Sequence, residues 1–174
     1  MWTGDMWQGK EGRHFSVNDT RETTPFAGSR LASLRETAEG KVGNKVSAWD
    51  NIQKIGALSA RALDILGTLK PGENVELQLT LKDLTAQGHL GQYNAQKFRA
   101  VIYDLQGEKE KAKQAMGKAY CAWRRYTDLM HALYIGVDMQ RNRHFTDWHA
   151  HDKVVLQDYL NLGGVGEPDW RKQE

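Results

Sequence analysis

Between Glu108 and Glu167 the chain carries no proline, and along the first half of that run its apolar residues keep a strict register. Ala112, Met116, Ala119, Trp123, Tyr126, Met130, Leu133 and Val137 lie 4, 3, 4, 3, 4, 3 and 4 residues apart. Steps that alternate between three and four keep all eight on one edge of an α-helix, so the pattern predicts one long helix over residues 108–146. An apolar edge of that length must be hidden against another helix. It can face other helices of its own chain, or pair with a second chain as a coiled coil. Alanine, methionine and aromatic residues specify coiled coils less well than leucine and isoleucine, which favours the first arrangement.

The preceding residues add shorter helical segments. Val46, Trp49, Ile52, Gly56, Ser59, Leu63, Leu66 and Leu69 recur at three- and four-residue steps, and Lys70-Pro71-Gly72 then stops the helix. Val75 to Leu81 alternates like a strand, yet no second strand is at hand to pair with it. Leu77, Leu81 and Leu84 also form a helical stripe, and Thr80 with Asp83 fits a capping box, so a short helix near 80–87 is expected. Gly88 and Gly91 read as breaks before a second amphipathic helix, Asn94 to Gln106, with Ala95, Phe98, Val101, Ile102 and Leu105 inward. Val154, Val155, Leu156, Tyr159, Leu160 and Leu162 form a last helical segment, which Gly163-Gly164-Val165-Gly166 ends.

Residues 1–44 contain only four aliphatic Val, Leu or Ile residues: Val17, Leu31, Leu34 and Val42. Such a segment buries too little apolar area to offset the entropy of ordering itself, and reads as an arm holding at most a short helix within 29–38. The expected fold is all-α, a helical hairpin or bundle built around one long C-terminal helix. Its parts are a flexible N-terminal arm (1–44), a helical domain (45–163) and a polar C-terminal tail (164–174).

A chain of 174 residues suits one domain. With 24 basic against 22 acidic residues, a globally basic nucleic-acid protein and an acidic disordered one are both disfavoured. The single cysteine, Cys121, precludes an internal disulfide and a paired-cysteine zinc site; among small neighbours it reads as a packed residue rather than a nucleophile. The first residues lack the apolar region of an export signal, and no stretch approaches the length of a membrane span. The expected setting is the cytoplasm, or the inside of a particle assembled there, without a membrane partner.

Three constellations could carry function. Trp2, Trp7 and Trp170 near the ends, with Trp123, Tyr126, Met130 and Leu133 on the seam, are candidate anchors for a protein partner or a second copy. Lys111, Lys113, Lys118, Arg124 and Arg125 give part of the 97–125 stretch a basic face that could meet nucleic-acid phosphates. Glu108 with Lys111 and Glu110 with Lys113 are also ordinary i, i+3 pairs. Extending the seam past Val137 reaches His144, Asp147 and His151, which on a continuous helix would offer two imidazoles and a carboxylate to a divalent metal such as zinc. No phosphate-loop, nucleophile-elbow or HExxH motif is present. The sequence therefore points to a non-enzymatic structural or interaction protein that self-associates or docks on a protein partner. Nucleic-acid association and a metal site are the alternatives.

Overall fold

A computed structural model describes residues 16–134, 138–139, 144–145 and 147–172 of the chain. They are mostly helical: α1 (Val17–Arg21), α2 (Leu34–Ala38), α3 (Ala48–Thr68), α4 (Val75–Leu105), α5 (Lys109–Leu133) and α6 (Asp152–Asn161). Two short strands, β1 (Asp138–Met139) and β2 (His144–Phe145), pair antiparallel in the register Asp138 to Phe145 and Met139 to His144. None of the described helices is long and apolar enough to cross a membrane.

Local chemistry sets most of the helix ends. Ser47 caps α3, its hydroxyl accepting from the Trp49 amide, and Asn74 caps α4 by accepting from the Leu77 amide at 2.9 Å. Ser16 with Asp19 and Ser33 with Glu36 form capping boxes that hold α1 and α2 despite their five-residue lengths. Between α4 and α5 only Gln106, Gly107 and Glu108 intervene. Gly107 takes φ +79°, the left-handed turn that lets α5 fold back along α4.

Two expectations about the helices are corrected. No break occurs at Gly88 or Gly91, and Val75–Leu81 is neither strand nor loop, because α4 runs unbroken for 31 residues. The glycines persist inside it because α3 passes too close for side chains. A Cβ at Gly88 would lie 2.7 Å from Leu63 Cδ2, and one at Gly91 would collide with the Ser59 hydroxyl. Tertiary packing thus outweighs roughly 1 kcal/mol of lost helix propensity per glycine. The second correction concerns the expected long C-terminal helix. The longest helix, α4, is central in the chain, and α5 stops at Leu133 after 25 residues. Backbone pairing of β1 with β2 follows where the helix was expected to continue.

Helix α4 lies between α3 and α5. One apolar cluster joins Tyr93, Ala100 and Val101 of α4 to Ala112, Met116, Ala119, Tyr120 and Trp123 of α5, with Val155, Leu162 and Val17 closing it. A second joins Ala48 and Ile52 of α3 to Ala95 and Ile102 of α4. The α5 stripe from Ala112 to Met130 is therefore largely buried within its own chain, the first of the two arrangements its spacing allowed.

Residues 16–44, read from sequence as part of an arm, pack against the helices. Val17, Thr20 and Ala32 are buried. The Val17 amide donates to Asp158 Oδ1 of α6 at 2.9 Å, and Asp158 Oδ2 lies 3.4 Å from Lys97 Nζ of α4. Lys97 also donates to the Tyr93 hydroxyl at 3.0 Å. Arg21 and Lys109 both pair with the buried Asp104 carboxylate. Four aliphatic residues were too few to order this segment by apolar burial alone. Buried polar partners contributed by α4 and α6 supply the rest.

Candidate functional site

The anchors proposed on α5 are engaged inside the chain. Trp123 and Met130 are buried, and Tyr126 and Leu133 are half-buried. The Trp123 ring packs between Tyr93 and Tyr126, with centroids 4.9 and 5.6 Å away, and its indole N–H donates to Asp152 Oδ1 at 2.8 Å. Trp170 is half-buried, its ring stacked by the guanidinium groups of Arg124 and Arg171 at 4.9 and 4.5 Å. Trp2 and Trp7 lie outside the described residues.

What remains uncovered is a different stripe. On α3, Ile55, Leu58, Ile65 and Leu69 are 39%, 67%, 51% and 48% exposed. With Ala62 they are spaced 3, 4, 3 and 4 residues apart, with isoleucine or leucine at four of the five places. On the facing arm of the hairpin Val75, Leu77, Leu79 and Leu84 are 42–64% exposed. Around them sit both signs of charge, with Arg61, Lys70 and Lys82 against Asp64, Glu73, Glu76 and Asp83. Sequence reasoning found the α3 stripe that faces α4, of which Ile52 and Gly56 are buried, and missed this second one. The signal was present as a second run one residue before Gly56, Ser59, Leu63 and Leu66, sharing Leu69 with the first, and masked because α3 is apolar on adjoining edges.

The basic residues divide between two surroundings. Lys111 pairs with Glu108 and lies 5.6 Å over the Tyr103 ring, on the α4–α5 turn. Arg124 reaches Asp152 at 3.1 Å, Glu167 at 3.3 Å and Asp128 at 3.6 Å, so three carboxylates compensate it. Lys113, Lys118 and Arg125 instead line an open cleft of about 890 Å³, together with Leu63, His89, Gln92, Gln96, Gln114, the half-buried Cys121, Tyr159, Asp169 and Lys172. Lys113 is paired with Glu110 and Lys172 with Asp169. Arg125 donates through Nε to the Trp170 carbonyl at 3.1 Å and through Nη2 to the Lys172 carbonyl at 2.7 Å. Burial, followed by the charge of Arg125, pushes the His89 imidazole down to about 4.

The spacing that placed His144, Asp147 and His151 on one helical stripe does not apply, because no single helix contains them. His144 lies in β2, Asp147 accepts from the His149 amide at 2.9 Å in the turn before α6, and His151 stands at the N-cap of α6. A further histidine, His149, meets carboxylates on both sides. Its Nδ1 is 2.8 Å from Asp152, its Nε2 3.8 Å from Asp128, and its ring 5.0 Å from that of His131. The cation bridging those two carboxylates is Arg124. Among the described residues no group of three or more His, Cys, Asp or Glu side chains is arranged to hold a metal ion.

No family model matches the chain, and neither a curated protein nor a solved structure matches it. Function must be argued from the two surfaces themselves.

Proposed function

We propose that this protein is a non-enzymatic interaction protein that self-associates, the α3 seam of one copy lying along that of another. The observation that carries this reading is the stripe of uncovered Ile55, Leu58, Ile65 and Leu69, with the half-buried Ala62 between them. Alternating three- and four-residue spacing of isoleucine and leucine is what knobs-into-holes packing between two helices requires, and nothing among the described residues covers it. The four uncovered isoleucine and leucine side chains of this α3 stripe leave on the order of 400 Å² open, the size of the largest apolar patch on a typical monomer, which is often functional. The charges around the stripe, three basic against four acidic, nearly balance, so repulsion between two copies is small.

The nucleic-acid alternative draws less support, because Lys111 and Arg124 are compensated by carboxylates and stand outside the cleft that holds the other three cations.

Leu58→Asp combined with Ile65→Asp tests the proposal by light scattering on a sizing column. The parent is expected to run as an oligomer at micromolar concentration and the variant as a folded monomer. A parent that stays monomeric into the hundred-micromolar range, or a variant that keeps the parent's mass, would refute it.

A further inference from the structure

We propose that the cleft bounded by α4, α5 and the segment after α6 is a binding site for a small phosphorylated molecule, with Arg125 as its anchor. This rests on different residues from the α3 seam and stands independently of it.

Arg125 and Arg124 are neighbours in sequence, yet the fold treats them in opposite ways. Arg124 is surrounded by three carboxylates. Arg125 is held by two backbone carbonyls, which fix the direction of the guanidinium and leave its charge uncompensated; among the described residues no carboxylate comes within ion-pair distance. A guanidinium oriented in this way has its remaining N–H groups ready for a bidentate contact with an oxyanion.

The surroundings extend the argument. Asp169, the one carboxylate among the described lining residues, is matched by Lys172 at 3.1 Å. His89 is neutral at ordinary pH and offers a ring N–H to a ligand without repelling the Arg125 cation. Lys118 and Lys113 stand on the same wall, seven and twelve residues before Arg125, or roughly 10 and 18 Å along the helix at its standard rise. Lys113 is already paired with Glu110, which leaves Arg125 as the anchoring charge. Gln96 and Gln114 present amides, which donate and accept, to the cleft. Its volume of about 890 Å³ falls within the range of small-molecule sites, roughly 300–1,000 Å³.

Titration calorimetry of the full chain with inorganic tripolyphosphate, at physiological salt, tests the proposal. The parent is expected to bind with a submillimolar Kd. Arg125→Gln should weaken binding about tenfold or more, the loss of one charge-assisted contact, while Lys111→Gln, outside the cleft, should change it less than twofold. Because Arg125 also holds the segment near Trp170, Lys118→Gln and His89→Asn serve as further variants, each expected to weaken binding at least threefold with the circular dichroism spectrum unchanged. Absence of binding by the folded parent, or equal loss in Lys111→Gln and Arg125→Gln, would overturn it. So would a thymidine oligonucleotide that binds more tightly and displaces the tripolyphosphate, since that result would assign the cleft to a nucleic-acid strand.

Discussion

Replacing Lys97 by methionine isolates what the buried pair under α1 contributes. Lys97 and Asp158 are each 5% exposed at the side chain. Burial pushes the Lys97 ammonium down, against the pull of Asp158, and pushes the Asp158 carboxyl up, against the pull of Lys97. Both directions say that desolvation outweighs the attraction that returns. Removing the cation alone leaves Asp158 charged, buried and compensated by little beyond the Val17 amide. Breaking one side of such a pair costs about 3–5 kcal/mol. For a chain of this size that corresponds to a melting temperature lower by roughly 6–20 °C. The companion variant, Lys97→Met with Asp158→Asn, removes both charges but keeps a side-chain oxygen for the Val17 N–H. It should return to within about 2 kcal/mol of the parent, as neutral replacements of buried ion pairs commonly do. Thermal unfolding at neutral pH, followed by far-ultraviolet circular dichroism, reads all three proteins. A double variant as unstable as the single one would refute the reasoning, because the loss would then lie in the attraction between the pair and not in a stranded charge.

Two further outcomes are expected. His89, held down to about 4 by burial and by Arg125, binds fewer protons folded than unfolded between about 4 and its ordinary 6.5. Stability should therefore fall as pH drops through that window, and His89→Asn should flatten this part of a urea-denaturation profile; an unchanged slope contradicts the assignment. Gly88→Ala should destabilise by about 1–2 kcal/mol even though alanine favours a helix, since its Cβ would press on Leu63 at 2.7 Å. A gain of about 1 kcal/mol in chemical denaturation would mean that Leu63 swings aside freely.

Legibility in the sequence followed the range of the forces involved. The start of α3, its stop before Pro71, the second half of α4, the α5 seam and α6 are written in periodicity and local punctuation, and the structure keeps them. The Glu108–Lys111 and Glu110–Lys113 pairs, one turn apart, were equally readable. The continuity of α4 was not, because Gly88 and Gly91 are tolerated only through Leu63 and Ser59 on another helix. The end of α5 was missed because the heptad spacing continues in sequence through Val137, past the Leu133 at which the helix stops. The candidate sites divide the same way. Lys113, Lys118 and Arg125 were picked from sequence as cations, but their separation from Arg124 depends on Asp152 and Glu167, 28 and 43 residues further on. His89 carried no sequence signal, since its neutrality comes from burial and from a charge on α5.

The hydrogen bond from Val17 to Asp158 spans 141 positions of chain. It fastens the first described helix to the last, and that fastening makes the molecule resist piecemeal trimming. Cutting away α6 would uncover Val17 and strand Lys97, whereas cutting away α1 would open Asp158 and Val155 to water. Either excision is felt at the opposite extremity, so the two ends must be kept or lost together.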